Sequence, residues 1–164
     1  VIIGHSERRL YFNETSSVLY QKLLMCFEHD FKPIFCIGES VDQRNSGDYL
    51  AVLKNQLESS VMLLPIDNIA NLMIAYEPVW AIGTGQTASP NQIKEVHDYI
   101  RLLLAHKIGL SKSDSVPILY GGSCNSINSE SILTQKNVNG LLVGGASLDC
   151  EHFIDIIKIA NSLS

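Results

Sequence analysis

AYEPVWAIGTGQTA, residues 75 to 88, joins the end of a buried strand to a loop built to move. The run leading into it, Leu72, Met73, Ile74, Ala75 and Tyr76, is continuously apolar or aromatic, as a parallel strand covered on both faces should be. A carboxylate, Glu77, sits where that strand stops, and Pro78 fixes the chain at the exit. Val79 and Trp80 follow, then a tip of mostly small residues, Ala81, Ile82, Gly83, Thr84 and Gly85, which suits a rigid lid on short hinges. Glu77 is therefore a candidate base. On spacing alone an ordinary strand-to-helix loop with a solvated glutamate reads equally well, so the neighbouring segments have to choose.

Upstream, Pro33 opens a strand, Ile34 to Ile37, that ends in Gly38 and Glu39. Before it, Leu19, Leu23 and Phe27, with Tyr20, Leu24 and Phe31, recur at helical spacing and predict a helix from about Thr15 to Asp30. The first apolar run ends in GHSERR, Gly4 to Arg9, which puts His5 and Ser6 at a strand's C-terminal end. Taken alone, His5 reads better as a satisfied structural histidine. A short helix is expected near Ser40 to Arg44. After Gly47 a longer one should carry Leu50, Leu53, Leu57, Val61 and Leu64 until Pro65 stops it.

Downstream of the lid, Ser89, Pro90 and Gln92 make a helix start with a capping box, and Ile93, Val96, Ile100, Leu103 and Leu104 give its buried stripe. Two further strands are expected, Val116 to Tyr120 running into YGGS (120–123) and Gly140 to Val143 running into GGAS (144–147). Glycine lets backbone amides approach a ligand closely, and a helix beginning just after presents its dipole to an anion. One such turn is weak evidence; two at consecutive strand ends fit the phosphate site found after the last two strands of a (β/α) barrel.

Five strand-helix units in 164 residues give the rhythm of a parallel α/β fold, with a doubly wound sheet as the open alternative. A full eight-unit barrel takes about 250 residues. Net charge is -5 with no basic run, so neither nucleic acid nor an anionic membrane surface is an expected partner. Four cysteines, Cys26, Cys36, Cys124 and Cys150, lack metal-like spacing and are expected to be reduced, with Cys36 a small buried thiol. With no long apolar span and no signal-like start, a cytoplasmic location is expected. The sequence begins Val1-Ile2-Ile3-Gly4 without Met, as if inside a strand, so preceding sequence is expected.

GHSERR (4–9), CIGE (36–39), AYEPVWAIGTG (75–85), YGGS (120–123) and LVGGASL (142–148), in this order, resemble triosephosphate isomerase from its fourth strand to its C-terminus. The resemblance implies units four to eight of a (β/α)8 TIM barrel and interconversion of dihydroxyacetone phosphate and glyceraldehyde 3-phosphate without cofactor or metal. It implies a homodimer when the barrel is complete. By the same resemblance Glu77 is the base and His5 the neutral electrophile. Ser6 holds the glutamate in its resting pose, and Ile82 and Leu142 clamp over it. Trp80 switches from Tyr76 when the lid is open to Glu39 when it is closed, while Tyr120 and Ser123 latch the lid at Ala88 and Gly85. Amides of Gly83, Ser123, Gly144 and Gly145 grip the phosphate. The other histidines, 29, 97, 106 and 152, have no matching role and read as surface.

The sequence departs from the family where its first unit supplies an Asn and a Lys in a segment resembling NWK; nothing here corresponds, and Glu7 lacks the ion-pair partner it usually has. The third unit, with the main dimer loop, has no counterpart. Gln86 stands where Lys is common and Asn139 where Asp is common. The 164 residues alone are therefore expected to be aggregation-prone and inactive. Two other readings differ in what they require: a non-catalytic module that binds phosphorylated metabolites or pairs with a complementary half needs no base under a lid, and another phosphate-binding barrel enzyme does not explain GHSERR together with the lid.

Overall fold

A computed structural model describes residues 1–163. Five parallel strands, β1 (Ile2–Ile3), β2 (Ile34–Ile37), β3 (Met73–Tyr76), β4 (Ile118–Tyr120) and β5 (Gly140–Leu141), form one sheet in the order β1-β2-β3-β4-β5. Each strand pairs with the next in sequence, with Ile37 opposite Tyr76 and Tyr76 opposite Tyr120. A doubly wound sheet reverses its strand order at a switch point. This one never does, and right-handed crossovers that always advance in the same direction lay the helices on one face, as in a barrel wall. β1 and β5 are the two edges.

The helices form where capping and apolar spacing direct them. α1 (Ser6–Phe12) follows β1 directly, and α2 (Ser16–Glu28) starts at a Thr15 cap and buries Leu19, Leu23 and Cys26. Phe31, expected on that stripe, lies beyond the helix end and is exposed. α3 (Val41–Ser46) and α6 (Pro90–Ile108) both begin with complete capping boxes, Ser40 with Gln43 and Ser89 with Gln92. The long helix expected after Gly47 is shorter: α4 (Tyr49–Glu58) ends before two serines, and Val61–Leu63 form a separate 3-10 turn. Pro65 does not stop a helix; it precedes α5 (Ile66–Ala70), where a missing N–H costs nothing. The last three strands also begin later or end earlier than their apolar runs.

α7 (Leu110–Ser115) and α8 (Ser129–Leu133) are short. Five residues separate YGGS from α8, and GGAS folds into its own 3-10 turn, Gly145–Leu148, before α9 (Cys150–Ser162). The expected helix immediately after each glycine turn is thus replaced by irregular backbone.

The core lies between sheet and helices, with Phe35, Ile74, Ile118, Leu53, Leu57, Ile93 and Leu104 fully buried. His97 is a correction to the surface reading: it is 0% exposed on the inner face of α6, its ring edge-on to Tyr76 with centroids 5.9 Å apart. Its Nδ1 lies 3.0 Å from the Asn137 carbonyl, which makes that nitrogen the proton carrier. Burial lowers its pKa to about 4. Arg101, next on that face, donates to the Val116 and Ser113 carbonyls and to Asn139 Oδ1 at 2.9 Å. Asn139 Oδ1 also accepts the Ile118 amide, so hydrogen bonds stand where an ion pair is common. The four cysteines are free thiols, Cys150 exposed and the rest buried.

Candidate active site

Glu77 leaves β3 at the C-terminal end of the sheet and is 2% exposed. Its amide donates to the Ile37 carbonyl at 2.7 Å, and the Gly121 amide donates to the Tyr76 carbonyl at 2.7 Å. The carboxylate is therefore carried by backbone pinned from both sides. Two glycines make room for it. A Cβ at Gly38 would overlap the Glu77 carbonyl, and one at Gly121 would lie 2.9 Å from Glu77 Cγ. CIGE and YGGS carry those glycines, yet nothing in a sequence says which neighbour a glycine spares.

One carboxylate oxygen, Oε2, accepts the Ser6 backbone N–H at 3.2 Å; the other, Oε1, lies 3.3 Å from His5 Nε2. His5 is the N-cap of α1, and its Nδ1 accepts the Glu7 amide at 3.4 Å. A ring nitrogen that accepts carries no proton, so the neutral ring keeps its hydrogen on Nε2, facing Glu77. Glu7 itself points its carboxylate toward solvent, 3.9 Å from the same Nδ1.

Burial pushes the Glu77 pKa up, and the His5 ring, the Ser6 amide, the Cys36 thiol and Arg9 pull it partly back. Cys36, which reads from sequence only as a small buried thiol, faces this carboxylate and is pushed upward by burial and by that charge. Arg9 donates to the Gly4 carbonyl and to the Cys36 carbonyl, both at 2.8 Å, tying the ends of β1 and β2 beneath the site. Neither residue stands out in the sequence as part of a site, because both act through backbone or through Glu77.

Glu77 and His5 open onto a cavity of about 270 Å3 that Ile82, Gly83, Ser123, Leu142, Gly144 and Gly145 also line. The residues expected as base, electrophile, clamp and phosphate grip thus share one concavity. The lid tip is exposed, and Gly83 (φ 66°) and Gly85 (φ 75°) take left-handed backbone that a side chain would strain. Thr84 Oγ1 donates to the Trp80 carbonyl and accepts the Gln86 amide, closing the tip on itself.

Three expected contacts differ. Trp80 Nε1 donates to Glu39 Oε1 at 2.9 Å although Glu77 rests on Ser6, so the closed-lid partner and the resting carboxylate coexist. Glu39, 0% exposed, also accepts the Tyr76 hydroxyl at 3.0 Å on the same oxygen, so one buried carboxylate oxygen gathers both donors. The Ser123 amide donates to the Ala81 carbonyl at 2.9 Å and is engaged there rather than offered to the cavity, and no hydrogen bond joins Ser123 to Gly85 among the described residues. The Tyr120 hydroxyl faces the Ala88 amide without making a hydrogen bond of normal geometry; burial raises its pKa to about 12.

His152, also read as surface, is half-buried and its Nε2 accepts the Ser126 amide at 3.0 Å, linking α9 to the loop after β4. No group of His, Cys, Asp and Glu suited to a metal ion occurs among the described residues, and no helix among them is long and apolar enough to cross a membrane.

The family model described as triosephosphate isomerase matches residues 1–160. Proteins named triosephosphate isomerase from Porphyromonas gingivalis and Alkaliphilus oremlandii are 44% and 45% identical to this chain, each over 158 residues. One from Cytophaga hutchinsonii is 46% identical, also over 158 residues. In each case 96% of this chain is covered, and it spans 63% or 64% of the relative's length. The order of the motifs, the sequential parallel sheet and these matches together place the chain in the triosephosphate isomerase family.

Proposed function

We propose that these residues supply the base, the electrophile and the phosphate grip of an enzyme that interconverts dihydroxyacetone phosphate and D-glyceraldehyde 3-phosphate, within a barrel completed by three further strand-helix units. The observation that carries this reading is the buried Glu77 carboxylate set 3.3 Å from a protonated ring nitrogen of His5, at the rim of a cavity walled by two glycine turns.

Glu77 takes a proton from the carbon next to the carbonyl. His5 donates from Nε2 to the oxygen that gains charge, and passes a proton between the two oxygens of the enediolate. A neutral imidazole in this role is the established case in this family. Glu77 then returns its proton to the neighbouring carbon, so no cofactor is required. Closing the lid brings Ile82 and Leu142 over the carboxylate and excludes water, which raises its basicity and protects the intermediate. Amides of Gly83, Gly144 and Gly145, joined by that of Ser123 once it leaves Ala81, hold the phosphate.

The test is turnover of glyceraldehyde 3-phosphate by the full-length gene product. Strong turnover that Glu77→Gln abolishes is expected; absence of turnover overturns the reading. The 164 residues alone, lacking the family's N-terminal lysine, are expected to give none. The same reading makes the complete protein a cytoplasmic homodimer. Supporting this, α1, which starts at Ser6 against Glu77, ends in three consecutive apolar residues, Leu10, Tyr11 and Phe12, exposed by 67%, 70% and 65%. Light scattering of the full-length protein tests it, a monomer mass counting against.

A further inference from the structure

We infer that Gln56, on α4 and outside the cavity, is a positioning residue for the catalytic base and the lid hinge together. Its side-chain amide makes a two-point bond with the backbone of Gly38: Oε1 accepts the Gly38 N–H at 2.9 Å and Nε2 donates to the Gly38 carbonyl at 2.8 Å. Gly38 is the residue just past the end of β2. The β2–β3 ladder ends at Ile37, and a helix side chain satisfies both backbone groups of the next residue.

The neighbours of Gly38 give this bond its consequence. Its backbone is pressed so closely on the Glu77 peptide that any Cβ would overlap the Glu77 carbonyl. The residue before it, Ile37, accepts the Glu77 amide. The residue after it, Glu39, accepts the Tyr76 hydroxyl, the Trp80 indole and, through its carbonyl, the Val79 amide at 3.0 Å. Three consecutive residues thus seat both the backbone of the base and the first turn of the lid, and the polar groups of the middle one are held by Gln56. A residue that fixes a contact surface this tight controls placement on the scale of a fraction of an ångström, where catalysis is most sensitive.

The inference rests on the isomerase reading, and its test separates the two. Gln56→Met keeps the volume and removes both hydrogen bonds. In the full-length protein it is expected to lower kcat by about ten- to a hundredfold, with KM changed less than about threefold, because the phosphate grip is built on other strands. It should also let water reach Glu77 and move the acid limb of the pH–rate profile to lower pH. Trp80 supplies a readout independent of turnover: with 5-fluorotryptophan incorporated, its 19F resonance, assigned by Trp80→Phe, should shift in the Gln56→Met protein. If kcat, profile and resonance all stay in place while only the melting temperature falls, Gln56 is merely structural and the inference is overturned. If the wild-type protein lacks turnover, the isomerase reading fails, and the resonance alone still decides whether Gln56 governs the Glu39 and Trp80 contact.

Discussion

β3 and β5 belong to the same sheet and end at the same cavity, but they hold the residues beyond their C-terminal ends in opposite ways. β3 is paired on both sides; Ile74, Ala75 and Tyr76 are fully buried, and the Glu77 backbone is pressed between Gly38 and Gly121. β5 is an edge strand of two half-buried residues, and after it Gly144 and Gly145 have nothing within 4 Å of where a side chain would start. Packing alone fixes the Glu77 carboxylate, the preorganisation that its proposed role as base requires. The turn after β5 has no such packing among the described residues, because β5 is paired there on one side only.

The sharpest way to break that contrast is Glu77→Gln, which keeps the packing and removes the proposed base. Turnover should fall by about a thousandfold or more. Calorimetry should show the variant at least as stable as the wild type at neutral pH, since it no longer buries a charge that burial disfavours. Next in size is the support behind β3. His97 binds its proton less readily folded than unfolded, so its contribution to stability is present above about pH 6.5 and is lost as pH falls toward about 4. Urea titrations across that window should lose about 3 kcal/mol, and the loss should vanish in His97→Asn.

The two glycine environments can be set directly against each other. Gly38→Ala should cost about 2 kcal/mol, because the overlap is with backbone. Gly144→Ala should stay within about 0.5 kcal/mol while raising KM for a phosphorylated substrate. Denaturation and steady-state kinetics on both variants would show whether tightness tracks with β3. The smallest effect is in pH dependence. With the Glu77 pKa raised, the acid limb of kcat/KM should sit above the ordinary glutamate value of about 4.3. Stability should change in the opposite sense, since a raised pKa favours the folded state as the proton binds.

Much of this was legible in the sequence because the signals were local. The helix start at Ser89, Pro90 and Gln92 needs only four residues to be recognised, and it forms as expected. β2 matches its apolar run residue for residue. The motifs that gather at the cavity lie at strand ends, and a parallel sheet brings all such ends to one side. The hidden contacts depend on partners distant in the chain. Nothing near His97 signals that its ring packs on Tyr76. Nor does anything near Trp80 signal that it meets Tyr76 on one oxygen of Glu39, at the end of another strand. The break at Ser59 and Ser60 escaped because an apolar spacing of three and four continues across it into a 3-10 turn.

A sheet in which every strand pairs only with its predecessor and successor also has a schedule. As the ribosome delivers β2, the segment it must find has already emerged, and the same holds for β3, β4 and β5 in turn. Pairing with the immediate predecessor makes each closure span a single strand-helix unit, the shortest that a parallel sheet allows. Glu77 gains its second packed neighbour only when β4 arrives with Gly121, about forty residues of synthesis after Glu77 itself.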